Sequence, residues 1–286
     1  MQSRELNLSG IWVPLVTPFK GGAVDHAGLR RIVARCADGG VAGFVVCGST
    51  GEPWALDDAE QHAVLQTVLD AARGLPLLMG LAGNHEGALH ARLQQWAEAP
   101  IAGFLVPAPY YVRPSQAGLL RWYGAIADAS PRPIVLYDIP YRTGVRIEAA
   151  TALQLAAHPN IVGIKDCGGD PAATQALIAD GRLQVLAGED AQILATLCLG
   201  GVGAIAASAH VRTERFVAMY RAVAERRLDD ARRIAQELTP LIRALFAEPN
   251  PAPLKALLAH EGLISDEVRP PLVPASAQLC AQLVAL

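Results

Sequence analysis

Apolar residues in this chain gather into eight short runs, at 11–17, 42–47, 76–81, 103–107, 133–138, 161–166, 183–187 and 202–206, spaced at intervals of roughly 20 to 35 residues. Most are continuous rather than alternating. A strand with water on one face alternates apolar and polar side chains, whereas a strand covered on both faces does not. The runs therefore predict strands of a buried parallel sheet. Between them the apolar positions follow a helical period. Positions 57–73 put Leu65, Val68 and Leu69 on one stripe, and Asp57 with Glu60 three residues on forms a capping-box pattern. Positions 115–129, 148–158, 170–179 and 190–199 read similarly. The stretch 191–209 holds nineteen residues without a charge, but Gly200, Gly201 and Gly203 break its middle and Gln192, Thr196 and Ser208 are polar. A helix, a turn and a buried strand are expected there rather than a bilayer span.

Eight strand–helix units in series, without a linker rich in Pro, Gly or Ser, predict an α/β fold, a closed (β/α)8 TIM barrel. An open doubly wound sheet is the alternative. The regular count of eight and the missing dinucleotide fingerprint favour the barrel. Residues 1–211 are assigned to the barrel core. Residues 212–286 read as helices, more than the last barrel unit needs, so a C-terminal helical extension is expected.

Composition narrows the class. Of 286 residues, 52% are hydrophobic and 18% charged, which excludes a disordered chain. The formal net charge of −3 provides no basic face for phosphates, so nucleic acid is not an expected partner. The densest arginine pairs, Arg30/Arg31, Arg226/Arg227 and Arg232/Arg233, sit in helical patterns and read as solvated faces. Five cysteines without a C-x-x-C spacing argue against disulfides and a zinc site and for a reducing compartment. Cys47, Cys167 and Cys198 read as small core residues. No signal peptide is read at the N-terminus, and a cytoplasmic protein is expected.

In such barrels chemistry lies at the carboxyl ends of the strands. Lysine is rare here, occurring only at 20, 165 and 255. Lys165 ends the sixth run, and Ile161, Gly163 and Lys165 share one strand face, with Gly163 leaving space beside the amine. An ammonium in an apolar strand is costly unless it is paired or neutral. Lowering its pKa from ~10.4 to ~7 corresponds to about 4–5 kcal/mol against the charged form. A neutral amine can attack a carbonyl and form a Schiff base. The plainer reading is a lysine snorkelling beside Asp166 or Asp138. Tyr137 ends the fifth run at the matching position, within reach across the ~4.8 Å strand spacing, and its phenol can shuttle protons. Gly48-Ser49-Thr50-Gly51-Glu52 follows the second run; hydroxyls between glycines suit a small carboxylate, or form an ordinary strand–helix turn. Arg142, just past the fifth strand, could clamp a carboxylate bidentately or lie on the surface. His85, Glu86 and His90 lack metal-ligand spacing, and 84–90 reads as a helix start. No metal, nicotinamide or flavin is expected.

These residues together resemble the pyruvate-dependent class I aldolases typified by dihydrodipicolinate synthase and N-acetylneuraminate lyase. The resemblance spans the chain and rests on Gly48-Ser49-Thr50-Gly51-Glu52, Pro109-Tyr110-Tyr111-Val112-Arg113-Pro114, Leu136-Tyr137-Asp138-Ile139-Pro140, Arg142-Thr143-Gly144, Gly163-Ile164-Lys165 and Glu248-Pro249-Asn250-Pro251. The tyrosine pair, Arg-Thr-Gly and Glu-Pro-Asn-Pro followed by Lys255 are closer to the synthase branch. The resemblance implies that Lys165 forms the Schiff base with pyruvate and Tyr137 moves protons at it. Ser49 would relay protons between Tyr137 and Tyr111, and Tyr111 would reach a neighbouring subunit's site, implying a homo-oligomer, a dimer or a dimer of dimers. Thr50 would hold the pyruvate carboxylate, Arg142 the carboxylate of aspartate semialdehyde, and Gly188 and Ile205 would line the pocket. The implied product is 4-hydroxy-tetrahydrodipicolinate, on the way to lysine, with no cofactor beyond the covalent Schiff base.

The sequence also departs from the family pattern. Ser49 stands where many members carry threonine, and Asp166-Cys167-Gly168-Gly169 replaces a Glu-Ala-Thr-Gly. Ala88 occupies the place of a glutamate that binds lysine in feedback-inhibited members, and Trp54, Asp58 and Gln61 also differ there. Weak or absent inhibition by lysine is expected. Two other readings stay open: a pyruvate aldolase acting on a sugar-derived or hydroxy-oxo acid, and a non-catalytic binding or regulatory barrel.

Overall fold

The computed structural model describes residues 6–286. Each apolar run holds a strand: β1 (Gly10–Pro14), β2 (Gly43–Val46), β3 (Leu77–Gly80), β4 (Gly103–Pro107), β5 (Ile134–Asp138), β6 (Ile161–Asp166), β7 (Gln184–Ala187) and β8 (Gly203–Ile205). They close into a barrel in the order β1-β8-β7-β6-β5-β4-β3-β2, so neighbours in the chain are neighbours in the sheet. The fold is the expected (β/α)8 barrel, and the expected C-terminal helices are present. The chain divides into two compact units, one of Leu77–Ile205 with the N-terminal residues to Gly10, the other of Ile11–Pro76 with Ala206–Leu286.

The first unit carries β3 to β8. Helices separate the strands, and their starts follow local chemistry. Ser115 caps the helix Gln116–Ala129 by accepting from the Gly118 amide, and Asp170 caps Pro171–Asp180 by accepting from Ala172 and Ala173. The chargeless stretch resolves into the helix Ile193–Cys198, a turn at Leu199 and Gly200, and β8. Cys198 does not join the core. That helix buries Ile193, Thr196 and Leu197, and Cys198 falls on its outer face. Gly163 also differs from expectation. A Cβ there would lie 2.6 Å from Leu8 Cδ1 and 2.8 Å from Gln184 O, so the space beside it is filled by Leu8. Barrel interiors are filled by layers of side chains, and a glycine admits a large neighbour. Leu8 is pinned by its amide donating to Gln184 Oε1 at 2.8 Å.

The second unit pairs β1 with β2 in parallel, Trp12 opposite Gly43 and Pro14 opposite Val45. A short antiparallel hairpin joins Phe19–Lys20 to Ala23–Val24. The helix Asp58–Ala71 starts with the expected capping box: Asp57 accepts from Glu60 N, and Glu60 accepts from Asp57 N. After β8 come the helices Thr213–Ala224, Leu228–Leu245, Ala252–His260 and Ala277–Val284. All three arginine pairs are exposed, though Arg226 and Arg227 occupy the link between two helices rather than a helix face. His210 is fully buried, bonding the Val16 amide and the Ala207 carbonyl, and burial pushes its pKa down to about 4. Lys255 is also fully buried. Its Nζ donates to Glu52 Oε1 at 2.5 Å and to Glu267 O at 2.9 Å and lies 4.1 Å from the Phe19 ring centroid. Arg269 covers the same ring at 4.3 Å and bonds the Glu60 carboxylate with both terminal nitrogens.

β8 tests how tightly the first unit is closed. A Cβ on Gly203 would sit 2.1 Å from Gly10 O and 2.8 Å from Gly10 N, against backbone that cannot swing aside. Gly203→Ala should therefore destabilise by about 1–3 kcal/mol or more. Calorimetry should show a fall in Tm of about 2–4 °C for each kcal/mol lost.

Candidate active site

Strand pairing sets the geometry of the site in the first unit. In β5 and β6, Tyr137 lies opposite Lys165 and Asp138 opposite Asp166. The register shifts between Ile134 and Val135: Ile134 pairs with Ile161, but Val135 pairs with Gly163, passing over Val162. Without that shift Tyr137 would face Ile164. The irregularity is what brings the two polar ends together.

Lys165 is 6% exposed. Its Nζ donates to the Tyr137 hydroxyl at 3.2 Å and lies 4.2 Å from the centre of that ring. Among the described residues no carboxylate comes within ion-pair distance of it. The two aspartates that a snorkelling lysine would use are engaged elsewhere. Asp166 accepts from Thr174 Oγ1 at 2.5 Å and Gly168 N at 2.8 Å, and Asp138 accepts from Ile147 N at 2.9 Å. Burial is the largest influence on Lys165 and pulls its pKa below the ordinary 10.5; Cys167, Asp190 and Glu189 oppose it, while Arg142 adds to it. The amine is thus biased towards the neutral, nucleophilic form. Burial also raises Asp138 to about 6 and lifts the Cys167 thiol well above its ordinary range.

Gly188 follows β7 and closes against the same lysine. A Cβ there would meet Cys167 Sγ at 2.3 Å and Lys165 Cγ at 2.9 Å. Its amide donates to Asp166 O at 2.8 Å. Ile205, the last residue of β8, is fully buried. Arg142 lies on the short helical turn Pro140–Thr143 after β5, exposed, with its guanidinium carbon 5.9 Å from the Tyr141 ring centroid and no ion pair among the described residues. Tyr111 is 90% exposed and holds a left-handed backbone with φ of 72°. Such a conformation costs a β-carbon residue roughly 1–2 kcal/mol. It is retained because Tyr111 N donates to Thr143 O at 3.1 Å while Tyr110 and Asn84 exchange two hydrogen bonds of 3.0 Å.

In the second unit, Ser49 and Thr50 open a 3-10 turn, Ser49–Gly51, directly after β2. The turn uses the amides of Gly51 and Glu52 on the carbonyls of Gly48 and Ser49. The Ser49 and Thr50 amides are those the turn itself leaves unused. Ser49 is half-buried and Thr50 buried, its Oγ1 accepting from Asn250 Nδ2 at 3.0 Å.

Sequence reasoning did not anticipate Cys167, Glu189 and Asp190 as electrostatic neighbours of Lys165. Cys167 lies two residues past the lysine, so extending the strand alternation by one step would have flagged it. Asp190 was read only as a helix start, though it is buried. Among the described residues no group of His, Cys, Asp and Glu side chains is arranged to hold a metal ion. No helix among them is long and apolar enough to cross a membrane.

The family model for the dihydrodipicolinate synthetase family matches residues 7–286. The chain belongs to that family. It is 38% identical to 4-hydroxy-tetrahydrodipicolinate synthase 2 of Clostridium acetobutylicum, over 96% of this chain and 97% of the relative. It is 42% identical to a 4-hydroxy-tetrahydrodipicolinate synthase of Sorangium cellulosum, over 95% and 92%. Among solved structures, the chloride-inhibited dihydrodipicolinate synthase of Acinetobacter baumannii complexed with pyruvate superposes with a TM-score of 0.94 at 32% identity, covering 97% of each chain.

Lys165 carries a testable linkage. Between its lowered native pKa and the ordinary 10.5, the unfolded chain binds a proton that the native chain does not. Wild-type stability should therefore rise with pH across that window. Lys165→Met removes both the cost and the slope. The variant should melt above wild type at neutral pH, by about 2–4 °C per kcal/mol released, with the gap closing as pH approaches 10.5.

Proposed function

We propose that the protein condenses pyruvate with aspartate semialdehyde through a Schiff base on Lys165, giving 4-hydroxy-tetrahydrodipicolinate in lysine biosynthesis. The observation that carries this reading is the buried Lys165 amine, 3.2 Å from the Tyr137 hydroxyl and with no carboxylate at ion-pair distance among the described residues. Membership of the family and the names of the relatives support it. The neutral amine adds to the pyruvate ketone, and the carbinolamine loses water to give an iminium. Tyr137 supplies the proton for the departing water. The iminium withdraws electrons, a methyl proton leaves, and the resulting enamine carbon attacks the aldehyde. The amine of the second substrate then displaces Lys165 as the ring closes. Because the protonated nitrogen acts as the electron sink, these steps call for no metal or organic cofactor.

The other assignments follow the family motif. Ser49 relays protons between Tyr137 and Tyr111, Thr50 binds the pyruvate carboxylate, and Gly188 and Ile205 shape the pocket. Arg142, with no ion pair among the described residues, takes the carboxylate of the aldehyde substrate. Tyr111 completes the site of a second copy of this chain, in a dimer or a dimer of dimers. Its strained, 90% exposed presentation supports that role. The protein is proposed to work in the cytoplasm, with residues 1–211 as barrel and 212–286 as last helix and appended bundle.

Borohydride reduction in the presence of pyruvate should add the reduced pyruvyl mass to the peptide holding Lys165. An adduct on Lys20 or Lys255, or none, would remove the mechanism. In a panel of aldehydes, aspartate semialdehyde should give the highest kcat/KM; preference for a polyhydroxylated aldehyde would move the chain to a sugar-acid aldolase.

The lysine-binding glutamate of inhibited members is replaced by Ala88, in the first turn of the helix Glu86–Gln95, where its amide bonds His85 Nδ1 at 3.0 Å. A methyl group provides nothing for an ammonium. Lysine at about 1 mM, the upper end of ordinary enzyme KM values, should inhibit turnover weakly or not at all. Loss of half the rate at that level would show that another residue has taken over the role.

A further inference from the structure

Within the second unit, the segment from Asn250 to Lys255 grips the Ser49–Glu52 turn at two points. Asn250 Nδ2 donates to Thr50 Oγ1 at 3.0 Å, and Lys255 Nζ donates to Glu52 Oε1 at 2.5 Å. Two further bonds hold the turn: Thr17 Oγ1 to Gly51 O at 2.7 Å, and Arg269 N to Glu52 Oε2 at 3.1 Å. Glu52 itself keeps a left-handed backbone, with φ of 53°. This is far more fixation than a surface turn needs. A carboxamide nitrogen can only donate, so Thr50 must receive Asn250 with an oxygen lone pair. The hydroxyl proton is left over. Among the described residues nothing accepts it, although Thr50 is only 5% exposed. A buried hydroxyl with an unspent proton suits an anion better than it suits a packed core.

We infer that Asn250 is a positioning residue for the keto-acid carboxylate: by donating to Thr50 it directs the Thr50 proton outward, as a preset donor. The ion pair of Lys255 with Glu52 fixes the turn, and Asn250 fixes the direction of the hydroxyl. The inference rests on the reading that Thr50 holds the pyruvate carboxylate, and it adds a residue to which that reading gave no task.

The experiment uses the full chain and pyruvate, with the concentration giving half-maximal borohydride trapping at Lys165 as the readout. Thr50→Ala should raise that concentration about tenfold and Asn250→Ala about three- to fivefold, the scale of one hydrogen bond. The kcat at saturating pyruvate should fall by a smaller factor than the half-saturating concentration rises, as expected for a lost binding contact. In the Thr50→Ala background, Asn250→Ala should add nothing, because its effect passes through the hydroxyl. An undiminished Asn250→Ala effect in that background would assign Asn250 to packing and overturn the inference. Asn250→Asp has the same shape but only accepts, so it should capture the Thr50 proton and weaken pyruvate more than alanine does. Wild-type pyruvate binding by the Asp variant overturns the inference equally. If Thr50→Ala itself leaves half-saturation unchanged while the Lys165 adduct forms, the inference falls and the Schiff-base reading stands.

Discussion

The register between β5 and β6 is the constraint on which the catalytic reading depends. Side chains alternate along a strand, so a slip of one residue would turn either Tyr137 or Lys165 to the wrong face. The sequence of the two strands does not align these residues by simple counting. Starting from Ile134 opposite Ile161, uninterrupted pairing would bring Tyr137 to Ile164. Passing over Val162 adds the single step that faces the phenol with the amine. The local irregularity is thus part of the site, and the apolar residues on either side of it, all buried or half-buried, hold it against relaxation.

The two buried lysines show what that placement does. Both lose solvation, and burial pulls both below the ordinary lysine pKa. Lys255 receives a carboxylate, a backbone carbonyl and an aromatic face, so its charge is matched on several sides. A buried pair of this kind returns roughly its own desolvation cost, and its use is to fix geometry. Lys165 bonds a phenol oxygen and faces its ring, Asp166 and Asp138 are occupied by other donors, and Cys167, Asp190 and Glu189 act on it from beyond ion-pair distance. The same side chain, buried in both places, therefore meets opposite surroundings. One is a fastened charge, the other, in the proposed mechanism, an amine kept ready for a carbonyl.

What could be read before any coordinates follows the same physics. The eight strands were legible because burial on both faces leaves continuous apolar runs, and most shortened by a residue or two only where pairing stops. Tyr137 and Lys165 were legible because a polar group ending an apolar run has few explanations. Glu52 with Lys255 was not, since 203 positions separate them and neither charge advertises burial. Gly163 was read as an opening because a strand pattern cannot show that Leu8, from the chain's start, fills it. Cys198 failed for a smaller reason: a short helix has room for three inward residues and the thiol is not one of them. Thr50 was found by its motif, but the donor that sets its hydroxyl lies 200 residues away.

The division of labour between rigid and exposed groups then becomes intelligible. Lys165, the proposed nucleophile, keeps its desolvation on a strand, packed against Gly188 at a distance no β-carbon would tolerate. Arg142, the proposed carboxylate-binding group, keeps its charge and its reach on a four-residue turn in solvent. Tyr111 combines both demands. Its ring stands in water, yet its backbone is held in a costly conformation by the Thr143 carbonyl and the Asn84–Tyr110 pair. Strain of that kind persists only where surrounding bonds over-determine it. In the proposed oligomer, an exposed aromatic fixed at such expense is ready to enter the site of a second copy of this chain.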